Sequence, residues 1–284
     1  MISGTRAILD SLAKRESLEG ALPRILEFYR ELLAVQLAAE TLLSDFTLSN
    51  TSMVSAEERI REGLPILVFR ELTRYLGDTG ETFREVAAVF SRYPDIVGQI
   101  HPSLASLEEN FLLMPEQVIK WLEGGEIPPF LEKTEMPEMT KAAMMQATVK
   151  PLLATCARLL LSNFKQETWR QSKCPVCGGR PDLAFLDKQD GARWLICSRC
   201  DANWLFQRLQ CPFCGTQDQA TIICSTDNEG KYRLYLCQRC RHYLKAIDLR
   251  LEEGDPVLPM ERLLTLDLDR QARELGYVPG SVSE

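Results

Sequence analysis

Apolar residues recur at helical spacing through most of residues 22–164, and from about residue 173 the period shortens toward that of strands. Leu22-Pro23 opens the first long stripe, with the proline suited to a first helical turn. Ile25, Phe28, Tyr29, Leu32 and Leu33 then make one apolar face. Shorter helices are expected at residues 56–61, 66–75 and 81–93, between breaks that carry Gly63, Pro65, Gly77, Gly80 and Pro94. Another begins at Pro115 and stops at Gly124-Gly125. Residues 126–137 hold three prolines and read as an extended linker. The longest helical pattern covers residues 139–164, with Met145, Val149, Leu152, Leu153, Cys156, Leu159 and Leu160 on one face. Pro151 interrupts it, which predicts a kink or two abutting helices. Met136, Met139, Met144 and Met145 read as core packing, and Cys156, on the apolar face, as an inert buried thiol.

Beyond this half two hairpins are expected. Residues 183–186 and 193–196 flank the polar turn 187–191, and residues 221–225 and 232–236 flank 226–230; both turns end in glycine. Each hairpin lies between two Cys-x-x-Cys pairs. The first has Cys174/Cys177 and Cys197/Cys200, nineteen residues apart, and the second Cys211/Cys214 and Cys237/Cys240, twenty-two apart; ten residues join the two. A shift of 37 lays Cys174 and Cys177 on Cys211 and Cys214. A shift of 40 lays Arg193, Cys197, Arg199 and Cys200 on Arg233, Cys237, Arg239 and Cys240, so the stretch is an internal repeat whose hairpin tip absorbs the difference. Residues 243–249 alternate like a strand. Residues 259–277, with Leu263, Leu264, Leu266, Leu268, Ala272 and Leu275, read as a closing helix that stops at Gly276.

The expected fold class is therefore α+β. An N-terminal all-helical domain (1–173) precedes a tandem metal-binding domain (174–250) of two rubredoxin-like or zinc-ribbon-like modules, 174–210 and 211–250. A C-terminal helix and tail (251–284) follow.

Two residues between cysteines let both thiolates of a turn face one ion, and two such turns complete a tetrahedral shell. Cys174, Cys177, Cys197 and Cys200 are the expected ligands of one metal ion, and Cys211, Cys214, Cys237 and Cys240 of a second, iron or zinc in each case. A shell of four thiolates leaves no position for water or substrate, which disfavours Lewis-acid catalysis. Modules of this size bury too little apolar surface to fold unaided, so the metal reads first as a staple. Iron in the same shell would be redox-competent.

The chain is 45% hydrophobic and 26% charged, the profile of a globular protein. No apolar run approaches the about 18 residues of a membrane span. Residues 1–20, with Asp10, Glu16 and Glu19, lack the continuous core of a signal peptide. A cytoplasmic protein without membrane insertion is expected, and reducing conditions there favour metal ligation over disulfides. The net charge is -7, yet residues 171–250 hold twelve lysines and arginines against eight acidic residues. Two divalent ions in four-thiolate shells would cancel that excess, so no strong field remains for nucleic acid.

Other chemistry is sparse. Cys224 has no counterpart in the first hairpin and reads as a small buried strand residue. His101 and His242 read as loop residues, His242 facing solvent or orienting a thiolate. No triad and no phosphate loop can be assembled. The aromatic and basic residues around the knuckles (Arg193, Trp194, Trp204, Arg208, Tyr232, Arg233, Tyr235) are expected to pack over the metal loops.

These motifs together resemble the FdhE family of formate dehydrogenase accessory proteins. The likeness lies in Cys174-Pro-Val-Cys177-Gly178 with Arg180-Pro181, then residues 193–200, Trp204, Arg208 and Cys211-Pro-Phe-Cys214-Gly215. It continues through Cys237-Gln-Arg-Cys240, Tyr243-Leu244-Lys245, Leu266-Asp267-Leu268 and Gly276-Tyr277. The resemblance implies a cytoplasmic maturation factor, not an enzyme, that binds the immature catalytic subunit of formate dehydrogenase, with rubredoxin-like, iron-binding modules. The second knuckle and the connector, with Arg199, Trp204 and Arg208, are expected to form part of the contact with that subunit. A rubredoxin-like electron carrier and a nucleic-acid-binding double zinc ribbon are the competing readings.

Overall fold

A computed structural model describes the chain apart from residues 1–3, 21, 44, 48–49, 78, 106, 108–110, 162–168, 255 and 281–284. It forms two compact units, one of Met1–Thr47 with Val68–Thr155 and the other of Leu48–Leu67 with Cys156–Glu284.

The first unit is helical. Its elements are α1 (Gly4–Glu19) and α2 (Arg24–Leu42), followed after α3 (Asn50–Arg61) of the other unit by α4 (Thr73–Leu76), α5 (Thr79–Arg92), α6 (Pro94–Val97), α7 (Pro102–Ala105), α8 (Pro115–Gly124), α9 (Pro129–Glu132) and α10 (Glu138–Leu161), whose residues to Thr155 belong here. Helix α5 buries Phe83, Val86, Ala87, Val89 and Phe90, and Phe90 meets Phe28 of α2 edge-on at 5.4 Å. Helix α8 has the predicted bounds. Its C-cap, Gly125, takes the left-handed conformation and returns its N–H to Trp121 O.

Several expectations change. Helix α1 has no sequence-level prediction, because its buried stripe is only Thr5, Ile8 and Leu12 among charged neighbours. The 66–75 helix begins only at Phe69 as a 3-10 turn, and the linker contains the single turn α9. Helix α10 continues through Pro151 as one helix; its predicted end at residues 162–164 lies outside the described residues. Met144, Met145, Val149, Leu153 and Cys156 are buried as expected, whereas Leu159 and Met139 are exposed.

In the second unit the strands are β1 (Pro181–Leu186), β2 (Arg193–Cys197), β3 (Asn203–Leu205), β4 (Ile222–Thr226), β5 (Tyr232–Cys237), β6 (His242–Asp248) and β7 (Val278–Pro279), with α11 (Leu258–Leu264) and α12 (Leu266–Glu274) before the last. They form one sheet in the order β3-β2-β1-β6-β5-β4. Each repeat is thus an antiparallel three-stranded meander, β1–β2–β3 and β4–β5–β6. The third strand of the second repeat pairs in parallel with the first strand of the first, Leu183 opposite Lys245 through Leu186 opposite Asp248. The ten-residue connector is not a plain linker, since it supplies β3. All seven residues of β6 are buried, as befits a central strand. Its first two pair with β7.

The closing helix is broken at Thr265 into α11 and α12. Its apolar side meets the sheet, where Leu234, Leu236, Tyr243, Ala272 and Tyr277 share a core; Leu275 is exposed. Buried Lys245 holds the break in place. Its Nζ donates to Arg262 O at 3.2 Å and Thr265 O at 3.3 Å, carbonyls at the end of α11, and pairs with Asp269 at 2.6 Å. Tyr243 Oη donates to the other oxygen of Asp269 at 2.8 Å.

Candidate metal centres

Each Cys-x-x-Cys pair is a tight turn followed by a residue with left-handed backbone. Those residues are Gly178 (φ 69), Asp201 (φ 57), Gly215 (φ 73) and Arg241 (φ 58), so all four turns share one geometry. Asp201 and Arg241 are the only non-glycine residues with positive φ among those described. Each returns its N–H to the first cysteine's carbonyl: Gly178 to Cys174 at 3.0 Å, Asp201 to Cys197 at 3.3 Å, Gly215 to Cys211 at 3.0 Å and Arg241 to Cys237 at 2.9 Å. That curl turns the amides of Val176, Arg199 and Phe213 onto Cys174, Cys197 and Cys211 Sγ, each at 3.4 Å. Such N–H donors stabilise sulfur as thiolate.

The eight cysteines meet in two groups, Cys174/Cys177/Cys197/Cys200 and Cys211/Cys214/Cys237/Cys240, with all four sulfurs of a group within 4.8 Å of one another. In the first, Cys174 Sγ is 3.6 Å from Cys200 and Cys177 Sγ is 3.5 Å from both Cys197 and Cys200. In the second, the Cys211–Cys240 and Cys214–Cys237 separations are 3.7 Å. A tetrahedron with metal–sulfur bonds of about 2.3 Å has sulfurs about 3.8 Å apart, so both groups fit a zinc- or iron-sized ion. All ten cysteines are free thiols.

The protonation pattern points the same way. Burial pushes Cys174 and Cys200 well up, while hydrogen bonds from Cys174, Cys197 and Cys200 hold Cys177 well down. Thiolate is the form of cysteine that ligates a metal ion. There is no slack around the first group: a Cβ on Gly179 would lie 2.9 Å from Cys197 Sγ. The second group is more open, with Cys214 and Cys240 half-buried and burial raising Cys240 to about 11.

Neighbouring elements hold the knuckles. Ile66 and Leu67 donate backbone N–H to Pro175 O (2.8 Å) and Val176 O (2.9 Å), which is why they are extended and not helical. Trp169 Nε1 donates to Lys173 O and Trp204 Nε1 to Gln171 O, both at 2.9 Å, steadying the lead-in to Cys174. Arg262 reaches from α11 to Asp182 (2.8 Å), Asp201 (2.6 Å) and Cys197 O (2.9 Å), clamping the second knuckle from behind. The sequence marked neither Arg262 nor the 66–67 pairing, because both act through residues distant along the chain.

Three readings of single residues change. Trp204 is fully buried, which agrees with its expected packing and removes it from the expected contact surface. His242 is 5% exposed on β6, not a solvent-facing loop residue, with Nδ1 2.8 Å from Cys240 O. Cys224 is exposed on β4 instead of buried. Cys156 is buried as expected, its thiol pushed up to about 12 by desolvation. In metal-loaded protein, iodoacetamide at pH 8 is expected to alkylate Cys224 first and to leave Cys156 untouched until unfolding; peptide mass mapping reads this directly.

A family model described as FdhE, central domain, matches residues 173–208. A protein FdhE homolog of Shewanella baltica (strain OS195) is 25% identical over 286 residues, covering 94% of this chain and 91% of its own. A protein FdhE homolog of Aquifex aeolicus (strain VF5) is 33% identical over 156 residues; that match spans about half of each, 54% of this chain and 54% of the relative. The crystal structure of the FdhE protein from Pseudomonas aeruginosa superposes with a TM-score of 0.60 at 21% identity, covering 99% of this chain and 93% of that one. At this identity the likeness concerns the fold alone. Among the described residues no helix is long and apolar enough to cross a membrane.

Proposed function

The chain belongs to the FdhE family, and from that premise we propose that it is an accessory factor in formate dehydrogenase formation. It binds the immature catalytic subunit in the cytoplasm, and each four-cysteine group holds one metal ion, iron or zinc, that fixes the binding body in shape. The observation that carries this reading is the pair of closed four-sulfur groups set at the two halves of a single sheet. With sulfur at every corner a bound ion has no free position for substrate, so the ion organises protein instead of turning over a reactant. Trp204 being buried, the contact with the subunit falls to exposed side chains such as Arg208.

The test is a deletion strain beside a pull-down. The strain should make formate dehydrogenase polypeptide without formate dehydrogenase activity, and tagged protein should recover the catalytic subunit, most strongly when it lacks its metal cofactor. Full activity in the deletion strain with no subunit recovered would end the proposal. The half-exposed second group favours one alternative, an electron carrier with iron entering reaction through Cys214 and Cys240. Reversible bleaching of a visible iron–thiolate spectrum in the purified protein would select it over a zinc staple.

A further inference from the structure

Arg193 is 3% exposed, yet among the described residues it has no carboxylate partner. Its Nη2 donates to the carbonyls of Gln207 and Gln210, the latter at 2.5 Å, and its guanidinium lies 5.4 Å from the Phe206 ring and 5.9 Å from the Tyr235 ring. Its Nε is buried without a hydrogen-bond partner. A buried, unpaired cation is expensive unless some negative charge lies near.

The internal repeat supplies the contrast. Forty residues on, Arg233 holds the equivalent place at the start of β5 and pairs with Asp248 at 2.6 Å. Shifting Asp248 back by forty gives Arg208, so the first repeat replaces the carboxylate by a second cation. What Arg193 has instead is the second cysteine group. Together with Cys211, Cys237 and His242 it lines a cavity of about 10 Å³, and its bond to Gln210 O fixes the residue directly before Cys211. His242 Nε2, which also lacks a partner, belongs to the same cavity wall.

We propose that Arg193, carried by the first repeat, is the buried counter-cation of the second four-cysteine centre. The argument rests on the metal-binding reading above. A divalent ion in four thiolates bears two net negative charges, and burying them beside a lone guanidinium relieves both groups. The first centre has no such dependence on Arg193, so the two centres differ in how they keep their ions. Arg193 acts through the cysteines and is a positioning residue.

The test uses the full chain loaded with zinc, chelator competition, and then alkylation with peptide mapping to tell which cysteines are released. Arg193→Gln should weaken retention at Cys211/Cys214/Cys237/Cys240 by about tenfold or more, the scale of outer-shell effects, and leave the other group unchanged. Arg193→Lys, which keeps the charge and loses the planar fork, should stay close to the parent. Arg208→Asp at an exposed position offers Arg193 the partner that Arg233 has, and should weaken the second centre with Arg193 in place; it also serves if Arg193→Gln does not fold. In iron-loaded protein the midpoint potential should fall in Arg193→Gln and hold in Arg193→Lys, because the reduced centre is the more negative. Equal retention in parent, Arg193→Gln and Arg208→Asp would overturn the proposal, as would Arg193→Lys being as weak as Arg193→Gln. A parent chain that binds no zinc would instead remove the metal reading beneath it.

Discussion

A chain carrying Cys174→Ser and Cys177→Ser is expected to hold one metal equivalent fewer and to lose the order of the sheet beyond the first repeat. Two of the four sulfurs at the buried group disappear, and the remaining Cys197 and Cys200 cannot close a shell. Structural zinc binding in small modules is worth on the order of 10 kcal/mol, more than a typical domain can spare. The topology adds the second consequence. Because β1 of the first repeat pairs with β6 of the second, a first repeat that unfolds leaves the central strand with a bare edge. Strand signal by circular dichroism should therefore fall by more than one hairpin's share, with the helical signal of the first unit largely retained. Two metal equivalents per chain in the double variant would show that these cysteines are not ligands.

Arg262→Ala should be the most damaging change that touches no cysteine. Arg262 is largely buried and joins α11 to Asp182, Asp201 and Cys197 O. The two carboxylates favour its charge and push its pKa further up against the opposing burial. Removing it leaves Asp182 and Asp201 facing one another's charge in partly buried surroundings, and removing one side of such a pair costs about 3–5 kcal/mol. Asp201 is also the left-handed residue that closes the second knuckle, so the loss should reach the first centre as faster zinc release to a chelator. Denaturant unfolding measures the first effect and chelator kinetics the second. Arg262→Lys, with one donor group in place of the fork, should fall between. A midpoint within experimental error of the parent would refute the clamp.

The sequence by itself determined the parts whose causes are local. Cysteine spacing announced four turns of one kind, and the lengths of the gaps between them gave the two groups of four that the folded chain brings together. Helix α8 was legible because proline and glycine punctuate it, and the four hairpin strands because apolar runs flank glycine-ended polar turns. Where the cause lies far along the chain, only the tertiary structure could decide. Nothing between Cys174 and Cys240 says that the repeats share one sheet, since parallel pairing of β1 with β6 depends on strands sixty residues apart meeting in register, Leu183 opposite Lys245. Residues 243–249 alternate like a strand, but the alternation does not say that His242, Lys245 and Asp248 are buried, as they are because Cys240 O, Asp269 and two arginines receive them. Ile66 and Leu67 carry a helical pattern, but the carbonyls of Pro175 and Val176 offered their amides better partners, and long-range hydrogen bonds outweighed local propensity.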